Sequence, residues 1–224
     1  MDLVGADDEP PPPGEVVQGD ELLLVPRAAH RVVRVAEEED PALGLEPGRR
    51  HRPYATLSPA AARRSITLMS PSKTFNLPGL GCAFAVVPDE ALRRAFRRTM
   101  RGIVPHVNVL GLVACEAALR HGAEWRRAVL DYLRGNRDRV LAAVSALPGL
   151  RATPVEATYL AWIDARGAGL AHPHRDLEAA GLGLSAGRDF GPAGLYDGFV
   201  RLNFACARPL LEEALERLRR AVGR

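Results

Sequence analysis

Apolar positions along this chain fall into blocks whose period switches between two and about 3.6 residues. Ser65-Ile66-Thr67-Leu68-Met69 is a short, β-branched apolar run that reads as a buried strand. Residues 81–87 read as a second strand closed by Pro88, and Asp89 opens an arginine-rich amphipathic helix to about Met100. Residues 107–121 predict a helix ended by Gly122. A longer one over 124–147 is ended by Pro148-Gly149. Residues 158–163 and 199–205 predict further strands, and residues 209–222 a closing helix. In that helix Leu211, Leu215, Leu218 and Val222 share one face, with glutamates early and arginines late, as the helix dipole favours. Strands and helices in alternation predict an α/β protein.

The first residues follow another pattern. Asp7 to Gly14 is acidic and proline-rich and predicts an extended or disordered segment. Apolar clusters between Val16 and Val35 suggest one or two strands. Glu37-Glu38-Glu39-Asp40 reads as a solvated acidic run, and Glu46-Pro47-Gly48 as a turn.

Composition narrows the function classes. At 224 residues, with 47% apolar and 25% charged residues, the chain is long enough for one or two soluble globular domains. A formal charge of +3, with arginines scattered along helices, argues against a nucleic-acid surface. The longest apolar stretch, near Val107 to Ala118, contains Asn108 and Glu116 and is too short to span a bilayer; no signal sequence is evident. Cys82, Cys115 and Cys206 are far apart in sequence and read as buried thiols in a reducing cytoplasm. His172 and His174 have no third ligand at useful spacing, so no metal site is expected.

The stretch with most chemistry is Ser70-Pro71-Ser72-Lys73-Thr74-Phe75-Asn76-Leu77-Pro78-Gly79-Leu80, directly after the first strand. Local context alone makes Lys73 an ordinary loop lysine. A lysine at a strand mouth, flanked by serines and a Pro-Gly turn, also suits covalent capture of a carbonyl, with hydroxyls near a phosphate. Arg201 lies within Phe199-Val200-Arg201-Leu202-Asn203-Phe204 and shares a face with Phe199 and Asn203. It needs a carboxylate, either from a nearby glutamate or from a ligand.

This stretch resembles the Schiff-base lysine segment of fold-type-I pyridoxal-phosphate enzymes, most of all the cystathionine β-lyase (C–S lyase) branch of the aminotransferase superfamily. The resemblance continues through Arg101-Gly102-Ile103-Val104-Pro105-His106-Val107-Asn108 and Tyr132-Leu133-Arg134-Gly135-Asn136-Arg137. It reappears in Glu156-Ala157-Thr158-Tyr159-Leu160-Ala161-Trp162 and Gly198-Phe199-Val200-Arg201-Leu202-Asn203-Phe204. It implies a pyridoxal-phosphate-transferase-like α/β fold in part: a non-matching, disordered leader (1–48), a partial large domain (49–122) and a small C-terminal α/β domain with a bridging helix (123–224).

The resemblance also implies pyridoxal 5'-phosphate as cofactor, Lys73 as catalytic and cofactor-binding lysine, and Ser70 and Ser72 at the phosphate. Arg201 falls at the substrate carboxylate, and Tyr159 at the substrate. The expected reaction is β-elimination from cystathionine or another cysteine-type amino acid. An aminotransferase, or a non-catalytic remnant serving as an interaction module, are the alternatives. In the family an aspartate for the pyridine nitrogen sits on a strand before the segment matching Arg49 to Tyr54. Here Val35 to Ala42 holds that place, offering acids but no strand pattern, with Asp40 as the one substitute. The chain thus reads as truncated, with exposed strand edges that leave pairing with a second copy or another chain open.

Overall fold

The computed structural model describes residues 34–37 (backbone), 44–46 and 51–223. Asp7 to Gly14, most of the Val16 to Val35 clusters and Asp40 lie outside the described residues. The β-branched run forms strand β2 (Ser65–Met69), buried over its first three residues. It is the central strand of a three-stranded sheet. On one side β1 (Arg34–Glu37) runs parallel to it, with Arg34 opposite Ser65 and Glu37 opposite Leu68. On the other, β3 (Phe84–Val86) runs antiparallel, with Thr67 opposite Val86. The strand at Arg34–Glu37 begins where the Val16 to Val35 clusters end and reaches into Val35 to Ala42, where no strand pattern was expected. Its pairing depends on β2, more than thirty residues away in sequence, and not on a local apolar alternation.

The first three helices open on side-chain caps, of which the sequence had marked Asp89. A short helix α1 (Pro59–Arg63) starts at Ser58, whose Oγ accepts from Ala61 N at 3.0 Å. In α2 (Glu90–Met100) Asp89 Oδ1 accepts from Leu92 N at 2.8 Å. In α3 (Val109–His121) Asn108 Oδ1 accepts from Gly111 N at 2.8 Å. Helix α4 (Ala123–Ser145) follows after Gly122.

The second sheet has the order β4-β5-β7-β6, built from β4 (Arg151–Ala152), β5 (Leu160–Asp164), β6 (Ser185–Ala186) and β7 (Phe199–Asn203). All its pairings are antiparallel. Helix α5 (Pro173–Ala179) and the closing α6 (Arg208–Val222) pack with α4 on one face of this sheet. Ala161, Ile163, Val200 and Leu202 supply the sheet's side of the core. Leu211, Leu215, Leu218 and Val222 of α6 are all buried against it, each leucine contributing on the order of 1.5–3 kcal/mol of apolar burial.

Residues 44–46, expected in the leader, belong to this C-terminal unit. Leu45 is fully buried in its core. The Leu45 and Glu46 amides both donate to Glu156 O, at 2.8 and 3.0 Å. From α4, Arg134 Nε donates to Leu45 O at 3.0 Å, and Arg137 Nη1 pairs with Glu46 at 3.1 Å. Among the described residues no helix is long and apolar enough to cross a membrane.

Candidate active site

Strand β2 delivers the chain to Ser70, and the turn that follows is built by its hydroxyl. Ser70 Oγ donates to Cys82 O at 2.7 Å and accepts from Ser72 N at 3.1 Å, so the Ser72 hydroxyl in contact with it is the donor of that pair. The turn is closed by Phe75 N to Pro71 O and Leu77 N to Ser72 O. Phe75 then anchors it to the start of α4, stacking on Trp125 with ring centroids 6.0 Å apart. The junction needs glycine at 122, where a Cβ would stand 2.4 Å from Phe75 Cε1.

Lys73 projects from this turn and is exposed, not buried at the strand mouth. It stands on the rim of two cavities. The larger, about 790 Å³, is mainly apolar, with Leu68, Phe84, Phe96, Met100 and Val104 among its walls. Ser70, His106 and Asn108 also line it. The smaller, about 470 Å³, opens toward the second sheet and is lined by Ser72, Asn76, Tyr132, Tyr159, Asn203 and Cys206. Asn108 is occupied as a helix cap and as donor to Leu80 O at 2.9 Å.

Tyr159 reaches the cleft from an unusual backbone. Thr158, before it, has φ 64°, the left-handed region that a β-branched residue enters only under constraint. The constraint is the tight pairing around it: Gly44 bridges to Ala157, and Phe204 N donates to Tyr159 O at 2.9 Å.

Arg201 lines neither cavity. It follows Asn203's face of β7, about 7 Å further along the strand. Among the described residues no carboxylate pairs with it, so the glutamate ion pair that the sequence left open is not made. The structure thus gathers Lys73, Ser70, Ser72 and Tyr159 around the cleft and sets Arg201 beside it. Asn203, Asn76, Tyr132 and Cys206 were not anticipated; alternation with Arg201 was the signal for Asn203, while the others carry none.

All three cysteines are free thiols, Cys82 buried and Cys115 and Cys206 half-buried. Burial, and then the neighbouring Cys82 thiol, pushes the Cys115 thiol up. Burial likewise pushes up the Cys206 thiol, which stays protonated at neutral pH and is a poor nucleophile.

The donor set fits a phosphorylated aldehyde at its amine end: an accessible lysine, two hydroxyls within three residues, and open volume on both sides. No carboxylate lines either cavity among the described residues.

A family model described as aminotransferase class I and II matches residues 40–218. Cystathionine beta-lyase PatB of Bacillus subtilis is 33% identical over 199 residues, covering 87% of this chain and 51% of that protein. That share exceeds what residues 49–224 amount to, so the similarity reaches into the first 48 residues. The crystal structure of OvoB superposes with a TM-score of 0.81 at 53% identity, over 85% of this chain and 49% of that one. Cystalysin from Treponema denticola, solved with a pyridoxal 5'-phosphate cofactor, gives a TM-score of 0.78 at 26% identity, over 85% and 49%. The chain spans about half the length of these proteins. With four-fifths of its residues under the family model and the lysine turn, strand and cleft in place, the chain belongs to the class I and II aminotransferase family of pyridoxal-phosphate-dependent proteins.

Proposed function

We propose that this chain supplies the lysine-bearing part of a pyridoxal-phosphate-dependent C–S β-lyase, acting on cystathionine or a similar cysteine-type amino acid. The observation that carries the reading is Lys73, exposed on the rim of two cavities with Ser70 and Ser72 beside it. Similarity to cystathionine β-lyases supports the branch.

When bound, the cofactor withdraws electrons from the substrate Cα and makes its proton acidic. Lys73 holds the cofactor and, once its amine is released, takes the Cα proton. Both hydroxyl protons are engaged within the turn, Ser70's on Cys82 O and Ser72's on Ser70 Oγ, so a phosphate here draws the Ser72 proton away from Ser70. Tyr159 meets the substrate from the second sheet, and the Arg201 fork, which pairs with no carboxylate among the described residues, binds the α-carboxylate. Loss of the Cα proton expels the thiolate from Cβ, and pyruvate and ammonia follow by hydrolysis. The family model's description favours a transaminase as the second reading, which shares this first proton transfer. Free thiols support a cytoplasmic setting, and a second chain is expected to complete the site.

Purified chain mixed with pyridoxal phosphate, reduced with borohydride and digested, is expected to carry the label on Lys73. Lys73 is the one lysine of this sequence, so label on the Met1 α-amine alone, or no label on Lys73, sinks the site. In a chain completed to its relatives' length, pyruvate release from cystathionine supports the lyase, and keto-acid formation from an amino donor the transaminase. There Lys73→Ala abolishes turnover, whereas Arg201→Ala mainly raises KM.

A further inference from the structure

Arg201 has a cross-strand neighbour on each side, Trp162 on β5 and Ser185 on β6. All three lie on the sheet face opposite the core residues Ala161, Ile163, Val200 and Leu202. The Arg201 guanidinium carbon stands 4.2 Å from the centroid of the Phe190 ring. Its Nη2 makes one long hydrogen bond, 3.3 Å, to Ser185 Oγ. Arg137, Arg166 and Arg217 all hold carboxylates; Arg201 has none among the described residues.

Phe190 is itself held in place. It ends the 3-10 turn Gly187–Phe190, and Trp162 meets it edge-on, with centroids 5.7 Å apart at 84°. Trp162 in turn stacks on Phe199 at 5.6 Å and 17°. The turn approaches closely because residue 187 is glycine; a Cβ there would lie 2.4 Å from Tyr196 O. The result is a braced ring under a cation whose N–H edge is almost unused.

A guanidinium stacked on an aromatic face loses the freedom to turn about its plane, while its five donors remain at the edge. A fork already set in one plane gives up less rotamer freedom when a carboxylate pairs with it. We propose that Phe190 is a positioning residue for Arg201, fixing its plane so that the outer edge meets the carboxylate of an amino acid. This rests on the carboxylate reading of Arg201 given above.

The test uses the 224-residue chain with isotope-labelled arginine. The Arg201 Nε–H resonance, identified by its loss in Arg201→Lys, is expected to carry a ring-current displacement. Phe190→Leu should remove that displacement and Phe190→Tyr should keep it. L-alanine is expected to move the same resonance, with an apparent affinity about three- to tenfold weaker in Phe190→Leu and restored in Phe190→Tyr. An Arg201 resonance unchanged by Phe190→Leu, or equal L-alanine affinity in the two chains, overturns the proposal. A resonance displaced by the ring but unmoved by L-alanine in the parent chain overturns instead the carboxylate reading, and is told apart by the persisting displacement.

Discussion

The Leu45 amide donates to Glu156 O at 2.8 Å, and the Leu45 side chain has no exposed surface. A residue from the chain's first fifth is therefore a core residue of its C-terminal unit. Leu45→Ala is expected to destabilise the chain by about 2–4 kcal/mol, the usual result of a buried leucine truncation. The urea midpoint checks it. A loss below about 1 kcal/mol would mean that residues 44–46 peel away at little expense.

Asn136 is a fully buried polar residue in the middle of α4. Its Nδ2 donates to Phe204 O at 2.9 Å and Cys206 O at 3.1 Å, and its Oδ1 accepts from Arg208 Nε at 3.2 Å. Replacing it with alanine strands two carbonyls just beyond β7. Asn136→Ala is expected to cost about 2–3 kcal/mol and to shift amide resonances of residues 203–208. Thermal unfolding and a proton–nitrogen spectrum decide; a stability change near zero contradicts the role.

Asp164 is one of two carboxylates held low among the described residues, with the more exposed Glu216, and is expected to contribute to acid sensitivity. The hydrogen bond from Arg166 holds its carboxyl below the usual carboxylate value. The folded state then binds fewer protons than the unfolded chain, whose aspartates titrate near about 3.9. The stabilisation is complete above about pH 5 and fades as pH falls through the depressed value. Asp164→Asn should flatten the acid limb of a stability–pH curve while leaving the limb above neutrality unchanged. An identical acid limb in the variant would put the proton uptake elsewhere.

Helix α3 leaves Val109, Leu110, Val113 and Leu119 more than half exposed. An apolar strip of that kind favours association in water. Sedimentation of the chain is expected to show a mass that rises with concentration, and Leu110→Glu with Val113→Glu to lower it without changing the unfolding temperature. A parent chain that stays monomeric at every concentration contradicts this.

Much of the fold was legible because its signals are local. Strand β2, the Asp89 cap and the buried stripe of α6 all follow from residues within one or two turns. Strand β1 was not legible, because four residues of mixed character become a strand only through pairing with β2. The two-residue strands β4 and β6 and the seven-residue α5 are too short to set a period. In the site, Lys73 and Arg201 were singled out by the family resemblance around them, since local context alone left a loop lysine and a structural ion pair open. Phe190 was not, since nothing in a loop sequence tells which cation its ring will face.

The path of the main chain has a mechanical consequence. It leaves the first sheet after Glu37, is pinned in the second unit at Gly44–Glu46, returns to the first sheet at Ser65, and crosses again at Gly122. The two units are therefore laced together and not strung like beads. Cutting the chain at Gly122 alone would not free one from the other.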